Sequence, residues 1–188
     1  MNDMADPRNR RLRPRRPGYN YRAVGPYYVT ICTAKRRRLL AYPINDHLEL
    51  TDLGRLTADV WKDLPKTFPG LVVDTFVVMP DHTHGLLFLP EDGTASLSAV
   101  IRRLKAEISR QARRTGIHTE DQLWQRGYFD HVVRKDVKLD AVREYIRDNP
   151  RRWMERYAPS LDARRLGASL RGPRDGDDRQ REEHGGPE

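Results

Sequence analysis

Two histidines stand one residue apart at the start of an apolar run, in the segment VVMPDHTHGLL at positions 77–87. Because side chains alternate between the two faces of a β-strand, a strand here would place His82 and His84 on the same face. Their Cα atoms would be roughly 6–7 Å apart, so both Nε2 atoms could reach one metal ion. Histidine pairs also occur as structural residues of a core, and this interpretation stays open for the pair alone.

A second pair of polar residues lies in the last predicted helix, at positions 139–149. Tyr145 and Asn149 are four residues apart and therefore share one helical face. Packed against the histidine strand, Asn149 is a candidate third metal ligand, and Tyr145 would bring its phenol beside the ion. Such a site has no carboxylate, so a substrate phosphate is the expected partner for the charge of Mg²⁺ or Mn²⁺. Tyr145 is equally interpretable as a packing residue, and three other tyrosines compete as nucleophiles: Tyr28, Tyr128 and Tyr157.

The elements that must position these groups follow the order βαββαβα. This order predicts an α+β fold of the ferredoxin-like type, an antiparallel sheet with helices packed on one of its faces. Thr51 and Ser96 are the predicted N-caps of the first two helices, and Pro150 is expected to end the third. The remaining predictions are strands at 27–33, 71–79, 85–89 and 128–134, and a hairpin within 39–50 around Asn45-Asp46.

Composition limits the class of protein. The 188 residues suit one domain, and the single cysteine, Cys32, excludes a disulfide framework. No apolar stretch approaches the ~20 residues that span a bilayer, and the basic N-terminus is not followed by the apolar segment of a signal peptide. We therefore expect a soluble, cytoplasmic protein without a membrane partner.

The formal net charge of +8 suggests a polyanionic partner. We predict a basic, flexible arm at 1–17, a folded domain at 18–158 and a disordered, charged tail at 159–188. The second helix presents a basic face, with Lys105 expected to face the histidines, although solvated arginines are the simpler interpretation of such a surface. The residues predicted to contact nucleic acid are Arg8, Arg10, Arg11, Arg13, Arg15, Arg16, Arg102, Arg103 and Lys105.

Five sequence blocks, taken together, resemble the single-tyrosine HUH transposases (IS200-like transposases), and within them the REP-associated tyrosine transposases of bacteria. The blocks are GYNY at 18–21, YVTICT at 28–33, FVVMPDHTHG at 76–85, WQRGYFDH at 124–131 and YIRDNP at 145–150. The resemblance covers roughly residues 18–158. One departure is Asp81, where that family often has Asn before the first histidine.

The resemblance implies an HUH endonuclease fold that acts on single-stranded DNA, usually with a hairpin, in DNA transposition. His82 and His84 would bind the divalent ion, Asn149 would be a further ligand and Tyr145 the nucleophile that forms a 5′-phosphotyrosine. It also implies a bacterial, nucleoid-associated protein. The sequence leaves open whether the protein is a monomer or a dimer.

Two other classes of function remain possible at this point. One is a non-catalytic, sequence-specific DNA-binding derivative of such a transposase. The other is a small metal-dependent hydrolase or oxygenase that uses the histidine pair, although this function leaves the basic arm unexplained.

Overall fold

The computed structural model describes residues 25–118, 122–133 and 139–169, with side chains described up to Tyr157. A compact unit ends at Met154, and a second unit begins at Glu155. A short 3₁₀ turn, Ala34–Arg36, follows the first strand. The strands and helices of the described residues are β1 (Pro26–Cys32), β2 (Ala41–Ile44), β3 (His47–Leu50), α1 (Asp52–Thr67), β4 (Val72–Met79), β5 (His82–Phe88), α2 (Leu97–Arg114), β6 (Phe129–Val132) and α3 (Leu139–Ser169).

Four of the strands form one antiparallel sheet in the order β4-β5-β1-β6. β2 and β3 form a separate hairpin, and Asn45 in its turn has a φ of 50°. This left-handed conformation is one that Asn tolerates better than most residues. The predicted antiparallel sheet of the ferredoxin-like type, the βαββαβα alternation and the hairpin within 39–50 are therefore confirmed.

Side-chain caps determine where the first two helices begin. The Thr51 hydroxyl accepts a hydrogen bond from the N–H of Gly54 at 3.0 Å. The Ser96 hydroxyl accepts one from the N–H of Ala99 at 3.3 Å. Each bond satisfies a donor that the first turn of a helix leaves unpaired. Both predicted N-caps are confirmed.

Helices cover both faces of the sheet. The larger core joins alternate residues of β1, such as Val29 and Ile31, to Trp61 of α1 and Leu104 of α2. A smaller cluster on the other face joins strand residues to α3, and its buried members are Leu86, Val133, Val142 and Ile146. The prediction that the helices share one face is wrong for α3, because an amphipathic stripe does not specify which side of a sheet it covers.

The third helix does not end at Pro150, as was predicted, but continues to Ser169. Proline lacks an N–H and crowds the preceding turn, so it often ends a helix but does not have to. The predicted tail boundary at 159 consequently falls inside α3. The arm at 1–17 and residues 170–188 lie outside the described residues. No helix in the described ranges is both long and apolar enough to cross a bilayer.

Candidate active site

β5 places both histidines on the sheet face that α3 covers. The strand begins at His82, directly after the turn Pro80-Asp81. Both rings are buried, with residue exposures of 6% for His82 and 1% for His84. Their Nε2 atoms lie 3.0 Å apart. The predicted convergence of the two imidazoles is therefore present in the structure.

The large core supports the histidine strand from behind. Gly85 faces α1, and a Cβ atom at this position would lie 2.5 Å from the ring of Trp61. The Trp61 ring also stacks on Phe76, with ring centres 5.5 Å apart. Only glycine allows the indole to approach the backbone so closely. The main chain next to His84 is consequently held by packing on the opposite face.

Asp81 orients the ring of His82. Its Oδ1 lies 2.6 Å from Nδ1 of His82, and its Oδ2 lies 3.1 Å from Nε of Arg36. Burial would raise the pKa of Asp81, but the hydrogen bond and charge of His82, together with Arg36, outweigh burial and lower it. The resulting carboxylate accepts the Nδ1–H of His82 and fixes the orientation of its ring.

His84 meets two hydroxyl groups from β1. Its Nδ1 lies 2.7 Å from the Tyr28 hydroxyl and 2.8 Å from Oγ1 of Thr30. Thr30 reaches the ring because β1 and β5 pair with Thr30 directly opposite His84. Burial, followed by the charges of His82 and Arg36, lowers the pKa of His84 well below its ordinary value. The ring is therefore neutral, as a metal ligand must be.

The nitrogen atoms of the pair fit a divalent cation. Each Nδ1 has an oxygen partner, so the two Nε2 atoms face each other. Two nitrogens about 2.1 Å from one cation and at right angles around it are about 3.0 Å apart. This matches the observed 3.0 Å separation. No cluster of three His, Cys, Asp or Glu side chains suited to a metal occurs in the described part of the chain.

Tyr145 lies beside the histidines. Its ring centre is 6.1 Å from that of His84 and 6.0 Å from that of Tyr28, both in edge-on contacts. Burial and then the neighbouring Tyr145 phenol raise the pKa of Tyr28 above its ordinary value. Of the competing tyrosines, Tyr28 shares the site, whereas the Tyr128 hydroxyl contacts Ser98 of α2 at 3.2 Å. The predicted proximity of Tyr145 to the imidazoles is present.

Asn149 follows Tyr145 by about one turn of α3. Its side-chain nitrogen donates to the main-chain oxygen of Tyr145 at 2.6 Å, next to Pro150. Because the amide nitrogen makes this hydrogen bond, the side-chain oxygen is the atom that can accept another hydrogen bond or bind a metal ion. The role of Asn149 as a metal ligand stays a prediction.

The basic residues predicted on α2 belong to the layer on the opposite face of the sheet. Arg102 and Arg103 are exposed on this helix. Lys105 instead donates to the main-chain oxygens of Gln125, at 2.8 Å, and Gly127, and burial lowers its pKa to about 8. Its ammonium holds the segment before β6, which the sequence did not predict. The arginines of the arm lie outside the described residues.

Two further arginines lie over aromatic rings of α3 and were not predicted, and one of them, Arg152, contacts the candidate nucleophile Tyr145. The guanidinium of Arg152 is 5.4 Å from the ring centre of Tyr145, and that of Arg38 is 5.2 Å from the ring centre of Trp153. The basic run KRRR at 35–38, just after the first strand, was a usable signal for Arg38. Arg152 was not predicted as a site residue because the last helix was expected to end before it.

Two relatives from Haemophilus influenzae resemble this chain over most of their length. One, a protein without an assigned function, is 32% identical over 155 residues, which are 72% of this chain and 85% of the relative. The other, provisionally named a REP-associated tyrosine transposase, is 28% identical over 134 residues, or 67% of this chain and 70% of the relative.

The fold resembles that of a solved REP-associated tyrosine transposase bound to a REP hairpin. The TM-score is 0.56 at 21% sequence identity, over 74% of this chain and 73% of that one. The match agrees with the antiparallel sheet and the packed helices described above.

The family model described as "Transposase IS200 like" matches residues 25–149. This range begins just before β1 and ends at Asn149, so it takes in the whole sheet and the part of α3 that reaches the histidines. The resemblance found in the five sequence blocks is thereby confirmed, and the chain belongs to the family of IS200-like transposases.

Proposed function

We propose that this protein is a metal-dependent strand transferase that cleaves and rejoins single-stranded DNA in transposition. Tyr145 is the nucleophile, and His82, His84 and Asn149 hold Mg²⁺ or Mn²⁺. The observation that carries the proposal is the position of the Tyr145 ring, 6.1 Å from a neutral imidazole whose Nε2 faces that of its partner.

In the proposed reaction, the Tyr145 oxygen attacks the scissile phosphorus in line with the leaving 3′ oxygen. A bond forms between phosphorus and the phenol oxygen, and the bond to the 3′ oxygen breaks. The phenol proton is released, and the departing oxygen takes up a proton to become a free 3′ hydroxyl. The 5′-phosphotyrosine retains the phosphodiester energy for rejoining. A bound cation would polarise the phosphate and offset its charge.

The substrate we propose is single-stranded DNA with a hairpin, as the bound REP hairpin of the structural relative suggests. Phosphates next to the scissile bond would meet Arg152, whose guanidinium lies over the Tyr145 ring, and phosphates further along the strand would meet Arg38, whose guanidinium lies over the ring of Trp153. Arginine on an aromatic platform suits single strands, because every base has a face that can stack.

The arm at 1–17 is proposed to add phosphate contacts outside the folded domain, for which we propose the bounds 18–158. Its six arginines would neutralise backbone charge and release counterions. Because the proposed substrate is DNA, we propose that the protein acts at the bacterial nucleoid, in the cytoplasm.

The test is a denaturant-resistant adduct between the purified protein and end-labelled hairpin DNA in the presence of Mg²⁺ or Mn²⁺. We expect the adduct with the wild-type chain and none with Tyr145→Phe. The matched control is Tyr42→Phe, which makes the same change at an exposed tyrosine of β2. Tight DNA binding without an adduct from any hairpin would favour the non-catalytic DNA-binding derivative instead.

A further inference from the structure

Arg152 lies on the same face of α3 as the candidate nucleophile. Tyr145, Asn149 and Arg152 follow one another at the i, i+4 and i+7 spacing that brings residues onto one side of a helix. The guanidinium carbon of Arg152 is 5.4 Å from the centre of the Tyr145 ring. Because the phenol oxygen projects from that ring, a phosphate bonded to it would lie within reach of the guanidinium.

Asp148 holds Arg152 through one nitrogen only. Its Oδ2 accepts a hydrogen bond from Nε of Arg152 at 2.6 Å. Among the residues that the structure describes, neither terminal nitrogen of Arg152 makes a hydrogen bond. The side chain is 51% exposed, so a substrate can approach these nitrogens. Two terminal nitrogens of a planar guanidinium match the spacing of two phosphate oxygens, and the free end of Arg152 therefore suits a phosphate.

The charges beside Tyr145 also favour a phosphate. Asp148 accepts two further hydrogen bonds from Arg151, from Nε at 2.6 Å and from a terminal nitrogen at 2.8 Å. One carboxylate thus meets two guanidiniums, and this group of side chains is positively charged. A fixed positive charge at the point where a phosphate is transferred stabilises the negative charge that develops on its oxygens.

We propose that Arg152 is a catalytic residue that binds the scissile phosphate during its transfer to Tyr145, and that Asp148 is the positioning residue that holds Arg152 there. The bond between phosphorus and the Tyr145 oxygen forms while the bond to the 3′ oxygen breaks. The guanidinium donates to a non-bridging oxygen of that phosphate and keeps its own protons throughout. The phenol loses its proton and the departing oxygen gains one, as in the proposed reaction. The inference rests on the proposed function of Tyr145.

The first test compares the two arginines that share Asp148. Arg152→Gln removes the guanidinium over the Tyr145 ring, and Arg151→Gln makes the same change about 100° further round the helix. With saturating hairpin DNA and Mg²⁺, we expect Arg152→Gln to slow adduct formation by about 10- to 100-fold, the value of a hydrogen bond to a charged group. Arg151→Gln should lose less than about threefold. Equal losses in the two variants would overturn the proposal.

The second test concerns the positioning role of Asp148. Asp148→Asn leaves Arg152 in the chain but removes the carboxylate that holds it. We expect adduct formation at saturating DNA to slow by about 3- to 10-fold, with DNA binding no weaker than in the wild-type chain. In a chain that already carries Arg152→Gln, the same change should have no further effect, because Asp148 acts through Arg152. Additive losses would overturn the positioning role.

The reverse reaction gives an independent measurement. The same phosphate is bound to Tyr145 in the adduct, so Arg152 should contact it in rejoining as well. Adduct isolated from the wild-type chain and from Arg152→Gln is mixed with DNA that carries a free 3′ hydroxyl, and release of rejoined DNA is followed. We expect Arg152→Gln to slow rejoining by about the same factor as cleavage. Rejoining at the wild-type rate would contradict a contact with the transferred phosphate.

The outcomes distinguish this inference from the proposed function. If Arg152→Gln forms adduct at the wild-type rate while Tyr145→Phe forms none, the role of Arg152 is overturned and the nucleophile stays in place. If the wild-type chain itself forms no adduct with any hairpin, the proposed function fails, and the role of Arg152 in it fails as well.

Discussion

On one face of the sheet, β1 adds Val29 and Ile31 to an apolar core with α1 and α2. On the other face, the same strand adds Tyr28 and Thr30 to polar contacts with His84. The α1–α2 face is dominated by apolar packing, whereas the α3 face combines a smaller apolar cluster with the buried histidines. The comparison suggests that folding stability and chemistry can be changed separately, one face at a time.

The largest effect is expected from His82→Ala on the α3 face. Loss of one imidazole should reduce adduct formation by about 1000-fold or more, because several kcal/mol of charge stabilisation depend on the cation. DNA affinity should change by less than about threefold, since phosphate contacts elsewhere supply most of it. Parallel adduct and filter-binding assays measure both, and equal losses in the two would contradict this division.

On the α1–α2 face, Leu104→Ala should lower folding stability and leave the rate of adduct formation unchanged. Leu104 is 1% exposed, and truncating a buried leucine costs about 2–5 kcal/mol. We expect urea denaturation to show this loss, while the folded protein at low temperature forms adduct at the wild-type rate. A rate that fell in proportion to stability would show that the two faces are not independent.

A smaller difference is expected between arginines of the two layers. Arg38→Gln should weaken DNA binding by about 3- to 10-fold at physiological salt and reduce the salt slope by about one unit. Arg102→Gln, the matched change on α2, should alter affinity by less than about twofold. Titrations at several salt concentrations measure both slopes, and the reverse ranking would place the DNA on the α2 layer.

The smallest effect is expected for the ion pair that joins Arg143 of α3 to Asp74 of β4. Asp74 accepts hydrogen bonds from Arg143 at 2.6 and 2.9 Å, and this contact lowers the pKa of Asp74. The contribution of this ion pair to folding stability is fully present above the ordinary carboxyl pKa of about 3.9. It disappears as the pH falls through the lowered pKa of Asp74. Asp74→Asn should therefore lose about 0.5–1 kcal/mol at pH 7 and less at a pH below the ordinary carboxyl pKa.

The control for Asp74→Asn is Asp59→Asn, which removes an exposed ion pair with Lys62 within α1. No measurable change is expected there at either pH. Chemical denaturation at the two pH values compares the variants, and an equal loss for Asp74→Asn at both would exclude the carboxylate as its cause.

Local features of this chain could be predicted from the sequence. Thr51 and Ser96 are visible as caps because a cap depends on residues within one turn. The facing histidines follow from strand alternation alone. The hydroxyls on His84 could not be found in this way, because they depend on the pairing of Thr30 with a strand more than fifty residues away. Which face of the sheet α3 covers could not be predicted for the same reason, because it depends on contacts between residues that are far apart in the sequence.

Because β1 serves both layers through the period-two alternation of its side chains, its length is constrained more tightly than its composition. One inserted residue would send Tyr28 towards the core and Val29 towards the histidines, so folding and chemistry would be lost together. An insertion at the turn of the β2–β3 hairpin, which is separate from the main sheet, carries no such penalty. That turn is where a reporter peptide or an added DNA-binding module should be inserted.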